Sequence, residues 1–234
     1  MLSATILKHL EINKHVPAAK VIEKDIYVDN VFSSFEKKSD LLTYFTESRS
    51  LMSSAGMNLR SWTSNSETLR SRAKEENVLD TDEVIKKLGM RWNPVKDEMS
   101  FAERNIPILD VVTKRTILKY SSQIYDPLGL LSPVSVSAKI LLQELWKAKY
   151  DWDTALPDHI CETWNQLAES LNRATHVKFS RQFLPSVNSG TSLHIFVDAS
   201  IKSYGAAAYI CDQSQSKLVM AKNRVAPDIN PTPT

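Results

Sequence analysis

The stretch YDPLGLLSPVSVSAKILLQELW, residues 125–146, holds the clearest helix stop and start signals in the chain. A proline disfavours helical backbone at the residue before it, so a helix that approaches this stretch should end at Tyr125-Asp126-Pro127. Ser132-Pro133 suits an N-cap followed by proline at the first helical position. We expect the new helix to run to about Tyr150. Its apolar residues at helical spacing are Ile140, Leu141, Leu142, Leu145 and Trp146.

Helical patterns also lie on both sides of this stretch. The preceding pattern begins at Thr113 and places on one stripe Ile117, Leu118, Ser121 and Ile124. The following pattern begins at Pro157 and places on one stripe Ile160, Trp164, Leu167 and Leu171. We therefore predict a helical domain over residues 111–186, with Trp146 and Trp164 in its core.

The pattern changes after residue 187. The runs LHIFVDAS (193–200), YGAAAYI (204–210) and KLVMAKNRV (217–225) are strand-like and are joined by short polar connections. Consecutive strands of this kind predict an antiparallel meander. We expect residues 187–234 to form a second domain.

Residues 1–110 mix short helices and strands. A helix should open the chain, and another should run from an N-cap at Ser39 to a C′ residue at Gly56. Short strands are expected at MNLRSW (57–62) and on both sides of the turn at residues 93–97. The chain as a whole is predicted to be an α+β protein with domains 1–110, 111–186 and 187–234.

Composition limits the classes of function. The chain has 234 residues, 42% hydrophobic, and a formal charge of +2, so any basic surface for nucleic acid must be local. Cys161 and Cys211 lack zinc-site spacing, and the five histidines are scattered. No run approaches the roughly 18 apolar residues that span a membrane. We expect an intracellular protein that is not secreted, and the sequence patterns at both ends suggest a piece of a longer one.

Two aspartates follow β-prone runs of similar shape. Asp29 comes after DIYV, and Asp198 comes after LHIFV. A carboxylate at a strand end is held rigidly, as a hard cation such as Mg²⁺ requires of an oxygen ligand. Two simpler interpretations stay open: Asp29-Asn30 suits the tip of a tight hairpin, and Asp198 could merely end a strand.

Basic residues cluster at one predicted hairpin. Lys86, Lys87 and Arg91 could contact phosphates, or they could form an ordinary solvated face. Trp92, on the same hairpin, is the tryptophan that we keep as a candidate for stacking on a base.

Several motifs occur together and in order. They are YVDN (27–30), GMNLRSW (56–62), LGMRW (88–92), IYDPLGLLSPVSVSAKILLQELW (124–146), WDTALPD (152–158) and FVDASIKSYGAAAYI (196–210). Together they resemble the Pol polyprotein of BEL/Pao-type LTR retrotransposons, over nearly the whole chain. The long run at 124–146 is the specific part of this resemblance.

The resemblance implies a role for each segment. Residues 1–110 would be the end of a reverse transcriptase palm, 111–186 the thumb and connection, and 187–234 the start of a ribonuclease H. Asp29 and Asp198 would be one catalytic metal ligand from each of two sites, served by Mg²⁺ in the parent enzyme. Asn30 replaces the second aspartate of the usual palm motif.

The resemblance also implies partners. The hairpin residues that would hold the primer end are Lys86, Lys87, Gly89, Met90, Arg91 and Trp92. The expected partners are an RNA/DNA primer-template, bound weakly, and the remaining parts of a Pol polyprotein, in the cytoplasm or a virus-like particle. This chain should then retain at most nucleic-acid binding, with no tightly bound metal.

Two alternative functions remain. This region of Pao-type polyproteins is also associated with an aspartic peptidase, whose Asp-Thr/Ser-Gly motif is only approached by Asp153-Thr154-Ala155 and Asn188-Ser189-Gly190. The other alternative is an inactive remnant that acts only through interactions with proteins.

Overall fold

The computed structural model describes residues 2–87, 89–183 and 190–227. These fall into two compact units. The first consists of Met1–Glu83 with Pro94–Lys96, and the second of Val84–Asn93 with Asp97–Thr234. The division into domains 1–110, 111–186 and 187–234 stays a prediction.

The described residues form helices and antiparallel sheets. The helices are α1 (Leu2–Ile12), α2 (Pro17–Asp25), α3 (Lys38–Ser54), α4 (Glu67–Glu75), α5 (Lys114–Ser121), α6 (Ser132–Lys147) and α7 (Asp158–Thr175). The strands are β1 (Ile26–Tyr27), β2 (Asn30–Val31), β3 (Ile85–Lys87), β4 (Met90–Asn93), β5 (Glu98–Ser100), β6 (Lys178–Ser180), β7 (Ser192–Ala199), β8 (Ser203–Cys211) and β9 (Ser216–Val225). The sheets have the strand orders β1-β2, β3-β4-β5-β6 and β7-β8-β9. The α+β class is thereby confirmed.

In the first unit, α1, α2 and α3 bury their apolar faces together. Their shared core includes Leu10 and Ile22, both about 1% exposed or less, while Phe45 of α3 packs in a second cluster with Leu69 and Ala73 of α4. Gly56 is the C′ residue of α3, as expected, at φ +72°. The Gly56 N–H donates to the Ser53 carbonyl, and the Met57 N–H donates to the Met52 carbonyl. This is a Schellman motif, in which glycine takes the left-handed position without a steric penalty.

Three local predictions in this unit need correction. Helix α2 was missed, although Pro17 stands at its start and its buried face carries alanine. The segment 57–62 forms no strand: its Trp62 makes one isolated bridge to Leu79, so tertiary contact rather than strand pairing holds it. Helix α3 begins two residues earlier than expected, with Lys37 rather than Ser39 at the N-cap.

The helical part of the second unit packs around Trp164, which is fully buried, as predicted. Helix α5 has a capping box, in which Thr113 and Thr116 exchange side-chain and backbone hydrogen bonds. Trp146 is a correction: it is 55% exposed and not a core residue. The apolar residues of α6 cover more than one face, and it is Leu141 and Leu145 that face the core.

Two asparagines of α7 fix the extended segment before α5. The Asn172 side chain accepts from the Ile106 N–H at 2.8 Å and donates to the Ile106 carbonyl at 2.9 Å. Asn165 makes the same pair of bonds with Leu109, at 3.3 and 3.1 Å. Ile106 is thus held in the core with its backbone polar groups satisfied, although it belongs to no strand.

The three-stranded meander is confirmed. Strand β7 pairs with β8 from Ser192↔Cys211 to Ala199↔Tyr204, and β8 pairs with β9, with a shift in register at Ala208/Tyr209. Every residue of β7 is exposed. Such exposure is unusual for a strand whose apolar side chains lie on both faces.

The loop before α6 joins the helices to this sheet. The carboxylate of Asp126 accepts from the Leu130 and Leu131 N–H groups at 2.9 and 2.7 Å. The Leu128 carbonyl accepts from the N–H of Ala221 in β9 at 2.8 Å. Gly129 has φ +69°, and a Cβ there would collide with the Ala221 carbonyl. The turn therefore requires glycine both for its conformation and for this close approach.

We expect Gly129→Ala to destabilise the second unit by more than the roughly 1–2 kcal/mol of left-handed strain alone, because the added methyl displaces β9. The measurement is thermal unfolding, with hydrogen exchange at the Ala221 amide as the local readout. Gly56→Ala is the matched control, since Gly56 has a similar positive φ but open space around it. Equal effects of the two variants would contradict the close-approach argument.

Candidate nucleic-acid interface

The β3–β4 hairpin turns tightly against a tyrosine. Gly89 stands in the turn at φ +80°, and a Cβ on it would collide with the ring of Tyr125. Leu88 lies outside the described residues. The turn is thus held in place by a contact that a larger residue at position 89 would prevent.

The register of the hairpin separates its two faces. Lys86 pairs with Arg91, and Ile85 pairs with Trp92, so each pair shares a face of the sheet. Ile85 and Met90 are buried, whereas Lys86 is exposed. Of the residues predicted to hold a primer, Met90 is therefore a core residue, and the outer face presents Lys86 and Arg91.

Neighbouring side chains limit how freely the hairpin residues can move. Arg91 is 3.3 Å from the carboxylate of Glu103, an exposed ion pair. The Trp92 indole N–H donates to Asp97 at 3.0 Å. Arg181 binds the same carboxylate through two bonds of 2.6 and 2.9 Å, with its guanidinium 5.9 Å from the Trp92 ring centre. Trp92 is thus fixed in a polar network and is half-buried.

Asp29 lies in an exposed hairpin turn. Tyr27 pairs with Asn30, so the two turn residues are Val28 and Asp29, one position earlier than the expected Asp29-Asn30 tip. Asn30 is the first residue of β2, and its side-chain amide donates a hydrogen bond to the Asp29 carboxylate at 2.7 Å. Asn30 therefore orients the acid next to it.

Asp198 lies in β7, one residue before its end, and is exposed. Its partner across the ladder is Gly205. Phe196 shares this face of the strand, two residues away. Pairing with β8 thus positions the backbone of Asp198, and its exposed carboxylate is accessible to a ligand.

The described residues include no group of three or more His, Cys, Asp or Glu side chains placed to hold a metal ion. Asp29 belongs to the first compact unit and Asp198 to the second. Each offers one carboxylate to a candidate site, and a magnesium site normally draws on several oxygen ligands.

A cluster of tryptophans and cations was not predicted. The Lys114 ammonium lies 3.9 Å from the ring centre of Trp146 and 4.9 Å from that of Trp152. The neighbouring Arg115 binds Asp153 through two bonds of 2.6 and 2.9 Å. The sequence signal was the run WKAKYDWD (146–153), which alternates tryptophan with charge. Periodicity had assigned Trp146 to the core instead.

The Arg115–Asp153 pair changes the ionisation of both groups. Hydrogen bonding to Arg115, with a smaller coulombic contribution, lowers the pKa of Asp153 below its ordinary value, and the same contact raises the pKa of Arg115. Asp153 is therefore stabilised as an ionised carboxylate.

Among the described residues, no helix combines the length and the apolar character needed to cross a bilayer.

Comparison with known families gives one match. Residues 113–233, more than half of the chain, match the family described as Pao retrotransposon-like RNaseH-like domain. No curated protein is significantly similar to the chain. The matched region begins at the N-cap of α5. It includes helices α5, α6 and α7, with the 125–146 stretch, and the β7-β8-β9 meander. The chain therefore belongs to the Pao retrotransposon family, through this RNaseH-like domain.

Proposed function

We propose that the chain is a nucleic-acid-binding part of a BEL/Pao Pol polyprotein. Residues 1–110 would be the end of a reverse transcriptase palm, 111–186 its thumb and connection, and 187–234 the start of a ribonuclease H domain. The observation that carries the proposal is the β3–β4 hairpin, whose register places Lys86 and Arg91 on the same outer face. The family match over 113–233 supports the origin in a Pao/BEL Pol polyprotein and its RNaseH-like part.

The hairpin suits a nucleic-acid backbone better than a specific sequence. Lys86 and Arg91 are cross-strand neighbours on an exposed face, where they can contact adjacent phosphates. Phosphate contacts release counterions, so binding of this kind weakens as salt rises. Arg91 must also leave Glu103, or share its charge with it, to contact a phosphate. The affinity should therefore be modest.

Asp29 and Asp198 are the proposed metal ligands, with Mg²⁺ as the ion of the parent enzyme. The described side chains do not by themselves complete either site, because each offers a single carboxylate. We therefore derive no catalytic step for this chain. The further acids would come from other parts of the polyprotein, in the cytoplasm or in a virus-like particle.

Asp153 is the residue on which the aspartic peptidase alternative depends. Such enzymes share one proton between two carboxyl groups, which requires a raised pKa for one of them. Arg115 instead lowers the pKa of Asp153 and ties it to α5. Asn188 and Ser189 of the second partial motif lie outside the described residues. The contacts of Asp153 favour a structural role.

We expect the chain to bind an RNA–DNA primer-template duplex at low salt, and Lys86→Ala with Arg91→Ala to weaken this binding. Removal of two phosphate contacts should reduce the slope of log affinity against log salt by about 2. The measurement is fluorescence anisotropy with labelled duplex at several salt concentrations.

A control variant removes one positive charge outside the hairpin. Lys8→Ala removes an exposed lysine from α1, outside the hairpin, and should leave the salt slope within error. Folded wild-type protein that fails to bind duplex at low salt would overturn the proposed function. An equal effect of the control per charge removed would show that net charge, and not the hairpin, determines binding.

We expect Asp153→Asn to lower the melting temperature slightly at neutral pH. The pKa of Asp153 is lower in the folded state, so its ion pair with Arg115 stabilises the folded protein at pH values above the unfolded pKa of about 3.9. This stabilisation is lost as the pH falls through the folded-state pKa. The difference between variant and wild type should shrink below about pH 4. Asp151→Asn, which changes an exposed carboxylate in the same segment, is the control. Pepstatin-sensitive cleavage abolished by Asp153→Asn would contradict the structural role.

A further inference from the structure

The tryptophan–lysine cluster has three features that the fold does not need. Lys114 is 97% buried, with 3% of its surface exposed, yet its ammonium faces two indole rings. Among the described residues, no carboxylate lies within ion-pair distance of it. Trp146 is 55% exposed, more than packing over a lysine stem requires. A buried cation and an open aromatic surface therefore meet at one place on the second unit.

The two rings are held in a fixed arrangement. Trp146 and Trp152 meet edge to face, with ring centres 5.1 Å apart and an interplanar angle of 90°. The Arg115 N–H donates to the Trp152 carbonyl at 3.0 Å, and the Arg115–Asp153 pair fixes the same loop through side chains. The Arg115 guanidinium also lies 5.7 Å from the Trp152 ring centre. Preorganisation of this kind reduces the entropic cost of binding a ligand.

The charge around the rings is positive. The segments 114–119 and 146–153 carry five cationic and two acidic side chains, namely Lys114, Arg115, Lys119, Lys147 and Lys149 against Asp151 and Asp153. Asp153 already pairs with Arg115. Apart from Lys114, the lysines of these segments are exposed. This part of the protein surface therefore combines exposed aromatic rings with a net excess of positive charge.

We propose that Trp146, Trp152 and Lys114 form a binding platform for single-stranded nucleic acid. An unpaired base stacks on the exposed surface of Trp146, while the surrounding cations bind the flanking phosphates. A paired base has its faces covered by its neighbours in the stack, so the platform distinguishes single strands from duplex. This inference extends the proposed nucleic-acid-binding function to a second surface, and rests on that function for its biological context.

The test compares three ligands on the full chain: oligothymidylate and oligouridylate, each of about 12 nucleotides, and an RNA–DNA duplex of equal length. Trp146→Leu keeps an apolar cover over Lys114 but removes the aromatic face. It should weaken binding of both single strands about 10-fold and leave duplex binding unchanged. Trp146→Phe, which can still stack, should stay within about 3-fold of wild type. Loss with only one of the two single strands would assign the platform to DNA or to RNA.

Two controls separate stacking from folding. Tyr204→Ala removes another exposed aromatic side chain of the same unit and should change none of the affinities. In wild-type protein, the indole N–H resonance of Trp146 should shift on addition of the single strand and not on addition of the duplex. This second readout needs no variant to fold.

The outcomes distinguish this inference from the proposed function. Unchanged single-strand affinity in Trp146→Leu, or equal losses for single strand and duplex, would overturn the platform. Duplex binding with no single-strand binding would overturn the platform and leave the hairpin proposal standing. Single-strand binding that depends on Trp146, without duplex binding, would support the platform and overturn the primer-template proposal.

Discussion

The contact between the Leu128-Gly129 turn and Ala221 is the constraint on which the second unit depends. The Leu128 carbonyl accepts a hydrogen bond from β9, and Gly129 permits the approach because it has no side chain. Asp126 fixes the turn by accepting from two backbone N–H groups of the same loop. Because these are backbone contacts, the geometry is set by glycine and aspartate at exact positions rather than by general apolar packing.

Side-chain hydrogen bonds continue the contact between β9 and the helices along α6. Asn223 of β9 donates to the Ser132 carbonyl at 2.9 Å and accepts from Lys139 at 2.9 Å. Gln143 donates to the Ala226 carbonyl at 2.7 Å. The helices and the meander therefore share one interface, in agreement with a family match that continues across both.

Local signals predicted part of this architecture well. The glycine after α3 and the meander follow from left-handed backbone and strand-like composition, which act over a few residues. The signals around α6 were less accurate: α5 ends at Ser121, four residues before Tyr125, and the N-cap of α6 is Leu131 rather than Ser132. Helix α2 was missed although proline at its start is a local signal. The segment 57–62 was mispredicted because a contact distant in sequence decides it: Trp62 forms an isolated bridge to Leu79. Trp146 shows the limit of periodicity, since five apolar residues on α6 cover more than the face that α5 and α7 can bury.

In the candidate sites, too, local sequence predicted some features, whereas residues distant in sequence determine others. Strand patterning placed Asp198 near a strand end, and the hairpin placed Lys86 beside Arg91, because both follow from local geometry. The burial of Met90 and the network of Trp92 with Arg181 depend on residues far away in sequence. The Lys114 cluster likewise unites segments separated by more than 30 residues, through a backbone bond that no motif records.

The exposure of β7 constrains what Asp198 can do. A carboxylate that holds a divalent cation must be fixed closely in position, which usually takes support from both sides of its strand. Asp198 is supported by the ladder to β8, while among the described residues the other edge of β7 pairs with no strand. Phe196 and Val197, on opposite faces of β7, are 62% and 76% exposed. Metal chemistry at Asp198 therefore requires contacts that β7 gains from outside the described residues, and those contacts would cover its apolar faces as they fix the acid.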